Sequence, residues 1–147
     1  TVHHEPVAFE LQGKKMLIGH GDGLGPGDRG YKMLKKLFRN PVAQTLFGWL
    51  PPVIGIGTAN YFSRKSRAKT GQSDEVFESE EKEWLVSYCK EVLASTHYDY
   101  FVFGHRHLPL DIGLNESSTY INLGDWIRFY SYAVMENGTL QLKYHQS

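Results

Sequence analysis

Apolar residues are spaced differently in successive parts of the chain, and each spacing predicts a different element. Residues 6–11 and 14–18 are short apolar runs on either side of Gln12-Gly13. Runs of this length around a glycine-containing dipeptide predict two strands joined by a hairpin turn. The second run leads directly into the glycine-rich segment GHGDG, residues 19–23.

Helical spacing begins at residue 28. Between residues 28 and 50, apolar side chains recur every three or four positions, with lysines and an arginine on the opposite side. This pattern predicts an amphipathic helix. Asn40-Pro41 interrupts the pattern, so a second helix is expected over 42–50. Residues 53–69 are small and apolar and then basic, which predicts a short helix or a loop.

The second half of the chain begins with another helix signal. Ser73 or Ser79 is expected to be the N-cap of this helix, since acidic residues follow each of them and favour a first turn. The apolar stripe of the helix comprises Phe77, Trp84, Leu85, Tyr88, Val92 and Leu93. A buried strand is expected next, because the four apolar residues 100–103 lead into Gly104.

The remaining residues predict a series of short strands. These strands are expected over 110–114, 118–123, 127–135 and 139–144, with turns at 115–117 and 136–138. The chain therefore mixes helices and strands within 147 residues, which is the length of one domain. We expect a fold of the α/β (α+β) class.

Cysteine content and hydropathy limit the class of protein. Cys89 is the single cysteine, so an internal disulfide is ruled out, and its apolar neighbours predict a buried thiol. There is no run of 18 or more apolar residues, and we expect a soluble, cytosolic protein. The chain begins with Thr1 rather than with methionine, from which we expect a fragment of a longer protein.

Charge is distributed unevenly, although the formal net charge is zero. Residues 29–73 contain nine lysines and arginines and no acidic residue, whereas residues 74–83 contain six acidic residues and one lysine. A basic block of this length indicates either a solvated face or a surface that meets an anionic partner. Both interpretations remain open on charge alone.

Two junctions between a strand and a loop contain Gly-His, in LIGHGD and in FVFGHRH. A histidine at the carboxyl end of a strand projects into the crevice where open α/β sheets bind ligands. Neutral imidazole is a common ligand of zinc, manganese and iron. We therefore predict that His20, His105 and His107 bind metal, and that the last two share one face of an extended backbone. The other histidines, His3, His4, His97 and His145, are expected to be structural or surface residues.

Three histidines suit one catalytic zinc ion. A two-metal phosphoesterase centre additionally needs a bridging carboxylate and further oxygen ligands. Asp22, Asp28 and Asp125 are the acidic candidates near the histidines in the sequence. Asp22 is expected to brace the loop or a histidine from outside the ligand shell.

The motifs GHGD, GHRH and NLGDW (residues 122–126), taken in this order, resemble the C-terminal part of calcineurin-like metallophosphoesterases. The insert between the first two motifs resembles the helical lid of the members that act on UDP-2,3-diacylglucosamine in lipid A biosynthesis. This resemblance covers nearly the whole chain. The Asp-x-His and Gly-Asn-His motifs of the family's first half do not occur in the chain.

The resemblance implies a fold and a domain organisation. Residues 1–147 would form the C-terminal part of one metallophosphoesterase domain, a four-layered α/β/β/α sandwich. Residues 28–73 would be its helical lid or cap insert. The N-terminal metal-binding half of the domain would be absent from this chain.

The resemblance also implies a metal centre and a substrate site. His20 and His105 would bind one divalent ion and His107 a second, with His105 also stabilising phosphoryl charge. Mn²⁺ is the expected metal, and Zn²⁺ or Fe²⁺ would be accepted by the same ligand types. The absent half would supply the bridging aspartate and the other ligands. The residues expected at the sugar and phosphate are Asp28, Ser66, Arg67, Lys69 and Thr70.

The implied reaction is hydrolysis of the pyrophosphate bond of UDP-2,3-diacylglucosamine to UMP and lipid X. The implied partners are this lipid-linked UDP-sugar and the inner face of the inner membrane, where the protein would be peripheral and cytoplasmic. Nucleic acid is not expected as a partner, and the oligomeric state stays open. An acyl groove is one interpretation of the apolar insert residues, and packing among the lid's own helices is the other; they are Leu46, Phe47, Trp49, Leu50, Val53, Ile54 and Ile56.

Two alternatives remain beside this reaction. The first is another phosphoesterase of the same fold that acts on a nucleotide or a phosphoprotein. The second, if the chain is complete, is a metal- or lipid-binding module without catalysis. The apolar and basic insert favours the lipid-linked substrate over the first alternative.

Overall fold

The computed structural model describes residues 2–25, 29–70, 77 and 79–145, with only the backbone for residues 29–31 and 66–70. Its elements follow one another as β1 (Val7–Leu11), β2 (Lys14–Ile18), α1 (Arg29–Arg39), α2 (Pro41–Gly48), α3 (Pro52–Thr70), α4 (Trp84–Leu93), β3 (Tyr100–Phe103), β4 (Pro109–Gly113), β5 (Thr119–Leu123), β6 (Ser131–Glu136) and β7 (Thr139–Tyr144). The chain divides into two units. The sheet unit contains residues 1–26 and 74–147, and the helical unit contains residues 27–73.

A five-stranded mixed sheet forms the centre of the sheet unit, in the order β1-β2-β3-β5-β4. β2, β3 and β5 are parallel neighbours, while β1 and β4 are antiparallel to the strands beside them. Ile18 pairs with Val102, and Phe103 pairs with Asn122. The carboxyl ends of the three parallel strands therefore meet at one edge of the sheet, which agrees with the expected α+β class.

The hairpin predicted at Gln12-Gly13 is confirmed, and the turn predicted at 136–138 also joins two antiparallel strands. Gln12 and Gly13 join β1 to β2 with φ values of 51° and 73°, and Asn137 and Gly138 join β6 to β7 with φ values of 51° and 76°. Two successive residues with positive φ are typical of the type I′ turn that matches the twist of paired strands. β6 and β7 form a separate two-stranded sheet.

The core lies between α4 and one face of the central sheet. Leu85, Val86 and Cys89 of α4 pack against buried residues of the strands, and Cys89 is fully buried as predicted. Burial raises the pKa of the Cys89 thiol well above its ordinary value. The strand residues in this core are Leu17, Phe101, Phe103, Ile112 and Tyr120. Alternate strand residues face the other side of the sheet, as the pleat requires.

The helical unit confirms the predicted break between two helices. Asn40 is the N-cap of α2, and its side chain accepts hydrogen bonds from the backbone of Val42 (2.8 Å) and Ala43 (3.2 Å). Pro41 occupies the first turn, where a missing N–H has no cost. The short helix or loop expected over 53–69 is instead a helix of 19 residues, and Pro52 occupies its first position, where a missing N–H has no cost.

The fourth helix begins later than expected. Its N-cap is Glu83 rather than Ser79, and residues 79–83 form turns in which Lys82 N donates to Ser79 O. Ser73 lies outside the described residues. Phe77 is therefore outside the helix, although it belongs to the predicted apolar stripe. The Glu83 carboxylate makes no capping bond because it bonds to a distant arginine instead.

The sixth strand also begins later than expected. The strand expected over 127–135 begins at residue 131, because residues 126–129 form a turn. Asp125 stabilises this turn by accepting the backbone N–H groups of Ile127 and Arg128. None of the helices among the described residues is both long and apolar enough to cross a membrane.

Asp99 joins the amino ends of the parallel strands. Its carboxylate accepts hydrogen bonds from the Lys15 backbone (2.8 Å) and from Lys14 Nζ (3.1 Å). Its backbone donates to Lys15 O and accepts from Thr119 N. The hydrogen bond from the Lys15 backbone and the Lys14 ammonium hold the pKa of Asp99 below its ordinary value.

We predict that Asp99→Asn destabilises the intact protein by about 1 kcal/mol at pH 7. The wild-type advantage is complete above the unfolded pKa, about 3.9, and is lost as the pH falls through the lower folded pKa. Urea unfolding from pH 7 to pH 3 should therefore show the two proteins converging in acid.

Asp111→Asn is the control, because partial desolvation on the sheet raises the pKa of Asp111, which lies on the exposed face of β4. A raised folded-state pKa means that the ionised carboxylate destabilises the wild-type protein. The free energy of unfolding of Asp111→Asn should therefore rise relative to that of wild type as the pH rises. If the free energy of unfolding of wild type, Asp99→Asn and Asp111→Asn changed with pH in the same way, the assigned pKa directions would be wrong.

Candidate functional site

Two of the predicted metal histidines lie side by side at the carboxyl edge of the central sheet. His20 follows β2 by two residues, and His105 follows β3 by two. The backbone pairing continues beyond the strands, since Gly19 N donates to Val102 O and Gly104 N donates to His20 O, both at 3.1 Å. The two imidazole centroids are 5.2 Å apart with an interplanar angle of 77°. The structure therefore brings these two rings together.

The loop GHRH is not extended, so the expectation that His105 and His107 share a face of an extended backbone is wrong. His105 has a φ of 67° and His107 a φ of 51°. Arg106 N donates to Gly104 O at 2.8 Å, which is the hydrogen bond of a γ-turn centred on His105. The chain leaves the sheet after Phe103 and reverses direction, and positive φ at the two histidines achieves this reversal.

His107 lies next to the carboxylate of Asp125. His107 Nδ1 is 3.7 Å from Asp125 Oδ2, and the imidazole is largely exposed whereas the carboxylate is nearly buried. The pKa of Asp125 lies below its ordinary value, chiefly because its carboxylate accepts a hydrogen bond from the backbone of Arg128. A second hydrogen bond, from the backbone of Ile127, acts in the same direction. A carboxylate beside one ring nitrogen of a histidine orients the other nitrogen for a ligand. Asp125, one of the acidic candidates, is therefore a carboxylate that lies beside His107. Asp22 lies in the turn after Gly21, and its expected bracing role stays a prediction.

Asn122 is a site residue whose role was not predicted. Its side chain is fully buried. Nδ2 donates to Gly104 O (2.6 Å) and to the Tyr120 hydroxyl (3.0 Å), and Oδ1 accepts from Gly124 N (3.2 Å). Asn122 thereby ties the loop of His105 to the loop of Asp125. The sequence signal was a single amide inside the otherwise apolar end of a strand, TYINL.

All three predicted histidines border one cavity of about 790 Å³ within the sheet unit. Asp125 borders the same cavity, together with Trp126. The apolar part of its wall comes from the central sheet and from the β6–β7 hairpin, and includes Met16, Ile18, Val102, Leu123, Ala133, Met135 and Leu140. The cavity thus has a polar region at the strand ends and an apolar region between the two sheets.

The donor set fits part of a metal coordination shell. Imidazole and carboxylate together suit Zn²⁺, Mn²⁺ or Fe²⁺. Among the residues that the structure describes, no group of three or more His, Cys, Asp or Glu side chains is placed to hold a metal ion. The described residues instead supply the His20–His105 pair and, separately, His107 beside Asp125.

The predicted substrate residues lie where the structure gives no side-chain position. Asp28 is outside the described residues. Ser66, Arg67, Lys69 and Thr70 belong to the last turns of α3, of which the backbone is described. All five therefore remain predictions. Arg64 and Lys65, the preceding basic residues of the insert, are exposed on α3.

The helical unit has almost no core of its own. Among its described residues, only Gly55 is buried. Trp49 is 80% exposed and Val53 is 83% exposed. An apolar cavity of about 480 Å³ is lined by Leu37, Phe38, Ala43, Gln44, Leu46, Phe47 and Leu50. Both interpretations of the apolar insert, an acyl groove and packing among the lid's own helices, stay predictions.

Comparison with known proteins agrees with the motifs. A UDP-2,3-diacylglucosamine hydrolase of Porphyromonas gingivalis (strain ATCC BAA-308 / W83) is 36% identical over 97% of this chain. The chain is a homologue of the UDP-2,3-diacylglucosamine hydrolases. Relatives of the same name from Yersinia pseudotuberculosis serotype O:1b (strain IP 31758) and Yersinia pestis bv. Antiqua (strain Angola) are 31% identical over 71% of the chain. The predicted resemblance to enzymes that act on UDP-2,3-diacylglucosamine is therefore confirmed.

The homology covers only part of each hydrolase. The chain spans 59% of the length of the Porphyromonas hydrolase and 42% of each Yersinia hydrolase. No family model matches the chain.

Gly124 joins β5 to Asp125 and provides a test of how tightly this loop is built. Its φ is 67°, and a Cβ atom there would lie 2.5 Å from Ser131 Oγ. Gly138 has a similar φ of 76°, but a Cβ there would lie no closer than 3.9 Å to Gln12 O.

We predict that Gly138→Ala costs about 1–2 kcal/mol of unfolding free energy. Gly124→Ala should cost at least about 1 kcal/mol more, because it adds overpacking to the same backbone strain. Denaturant unfolding of the two variants measures the difference, and equal costs would contradict the described packing of the loop.

Proposed function

We propose that the protein containing this chain hydrolyses the pyrophosphate bond of UDP-2,3-diacylglucosamine, giving UMP and lipid X. The observation that supports this most directly is the convergence of His20 and His105 at the carboxyl edge of parallel strands, in a homologue of enzymes named for this substrate. The exposed apolar and basic helical unit is a second support, since the substrate has two acyl chains and two phosphates.

We propose two divalent ions as cofactors, with Mn²⁺ as the first candidate. His20 and His105 would hold one ion and His107 the other, in agreement with their separate positions in the site. When bound, such ions activate water for attack on phosphorus and neutralise charge on the phosphoryl oxygens. The remaining ligands, including a bridging aspartate, would come from the part of the domain that the hydrolases have beyond their match to this chain.

The chain's own residues would orient and stabilise the reacting groups. The Asp125 carboxylate, 3.7 Å from Nδ1 of His107, would favour this nitrogen as the protonated one and leave Nε2 of His107 for a ligand. His105 would stabilise the charge on the phosphoryl oxygens. Contact with the glucosamine and its phosphate is proposed for Asp28, Ser66, Arg67, Lys69 and Thr70.

We propose that the sheet unit is part of a four-layered α/β/β/α sandwich. α4 covers one face of the central sheet, and the β6–β7 hairpin would belong to the second sheet. The apolar residues of this hairpin and of the central sheet that line the cavity support this arrangement, because such surfaces are stable when further strands cover them.

We propose that the protein is cytoplasmic and binds peripherally to the inner face of the inner membrane. The helical unit combines exposed apolar side chains with basic residues and contains no acidic residue between 29 and 73. Each basic residue near an anionic surface contributes about 1 kcal/mol of binding. Such a surface would also retain the acyl chains of the substrate.

The reaction is tested by supplying the intact protein and Mn²⁺ with UDP-2,3-diacylglucosamine or with a simple aryl phosphate. We expect UMP and lipid X from the first substrate and little turnover of the second. His107→Ala should lower turnover at least about 100-fold with little change in thermal unfolding, because the ring is 66% exposed. His97→Ala is the control, since His97 is similarly exposed (57%) and lies beside Asp99.

Three results would contradict this proposal in different ways. Near-normal activity of His107→Ala would contradict the assignment of His107 as a metal ligand. Faster hydrolysis of the aryl phosphate than of the lipid would indicate another phosphoesterase. Binding of metal or lipid without turnover would indicate a module without catalysis.

The role of the basic insert is tested by changing Arg64, Lys65, Arg67 and Lys69 together to glutamine. KM for the lipid substrate should rise several-fold, or binding to vesicles containing anionic lipid should weaken, while kcat changes little. Changing Lys90 and Lys143 to glutamine is the control for a loss of positive charge elsewhere, since both are at least partly exposed lysines of the sheet unit. If both KM and vesicle binding are unchanged in the insert variant, the basic insert does not meet an anionic partner.

A further inference from the structure

Arg106 lies between two predicted metal ligands, but its side chain is buried. The side chain is only 6% exposed, and its Nε donates to Glu83 Oε2 at 3.0 Å, where the Glu83 side chain is 2% exposed. The guanidinium carbon also lies 4.9 Å from the centroid of the Trp84 ring. A buried charge is costly unless it is paired, so the contacts with Glu83 and Trp84 help to determine where Arg106 can lie.

The backbone on either side of Arg106 is strained. His105 and His107 both have positive φ, and Arg106 N closes the γ-turn by donating to Gly104 O. Such conformations of non-glycine residues cost about 1–3 kcal/mol each, and they persist only where the surroundings impose them. The buried side chain of Arg106 lies between the two strained residues, where it can impose both.

The partner of Arg106 is itself firmly held. Glu83 is the N-cap position of α4, where the helix dipole favours a negative charge. Leu85 and Val86, the second and third residues of this helix, are fully buried in the core that contains Phe103. Phe103 ends the strand that leads to His105. The ion pair thus joins the start of α4 to the loop that follows β3.

We propose that Glu83, Trp84 and Arg106 form an arginine clamp that positions His105 and His107 as ligands. These are positioning residues, because they act through the two histidines and touch no substrate. The metal-binding part of this inference rests on the proposed function, whereas the backbone part does not. Replacing the clamp should therefore loosen the GHRH turn and weaken metal binding.

A double variant separates positioning from stability. Replacing a buried ion pair with apolar side chains of similar size is often neutral or stabilising, so Glu83→Leu with Arg106→Met should keep the free energy of unfolding. If the clamp positions the histidines, the same variant of the intact apo protein should bind Mn²⁺ with a Kd about tenfold higher. A purely structural ion pair predicts that Mn²⁺ affinity follows stability and is unchanged.

Two further variants keep the test decisive even if the double variant does not fold. Arg106→Lys keeps the charge but loses the planar fork of donors, so its Kd should lie between those of wild type and the double variant. Lys14→Met is the control, because it removes the Lys14–Asp99 pair at the amino ends of the same strands. Its Mn²⁺ affinity should equal that of wild type.

Hydrogen exchange of the Arg106 amide gives a readout that does not depend on metal. The amide is bonded to Gly104 O, and its exchange in the apo protein should be at least about tenfold faster in Arg106→Lys, with Lys14→Met unchanged. Unchanged exchange and unchanged Kd in the clamp variants would overturn the clamp. Faster exchange in a protein whose wild type binds no Mn²⁺ would instead support the clamp and contradict the proposed metal centre.

Discussion

The parallel pairing of β2 with β3 is the constraint on which the candidate site depends. Ile18 pairs with Val102, so the glycine and histidine that follow each strand reach the same edge of the sheet at the same level. Asp99 joins the opposite, amino ends of these strands through hydrogen bonds to Lys14 and Lys15. A change in this register would move His20 away from His105, and no local feature of either loop could restore the pair.

The two units of the chain differ in how far their apolar side chains are exposed. The sheet unit buries them between α4 and the central sheet, whereas the described part of the helical unit leaves leucine, phenylalanine and tryptophan exposed. Exposed apolar surface of this extent is uncommon in a soluble protein without a partner. This combination of a well-packed sheet unit with an exposed apolar and basic helical unit is one basis for the proposed action on a lipid-linked diphosphate.

Elements defined by neighbours in the sequence were predicted well. The first hairpin and the turn at 136–138 follow from their glycine-containing segments, and the break between α1 and α2 follows from Asn40-Pro41. The starts of α4 and β6 were not predicted, the first because a long-range ion pair determines it and the second because a local turn delays the strand. Glu83 bonds to Arg106 rather than joining a longer helix, and Asp125 holds a turn at the start of the expected strand.

The sequence by itself determined that glycine and histidine follow two separate apolar strands, since the order of the residues and their hydropathy are enough for that conclusion. It also determined the basic, acid-free insert between them. Only the tertiary structure decided that the rings of His20 and His105 meet, that GHRH turns through positive φ, and that Asn122, Arg106 and Glu83 hold this turn. The physical reason is that the strand register and the burial of polar side chains depend on residues far apart in the chain, whose proximity no local pattern encodes.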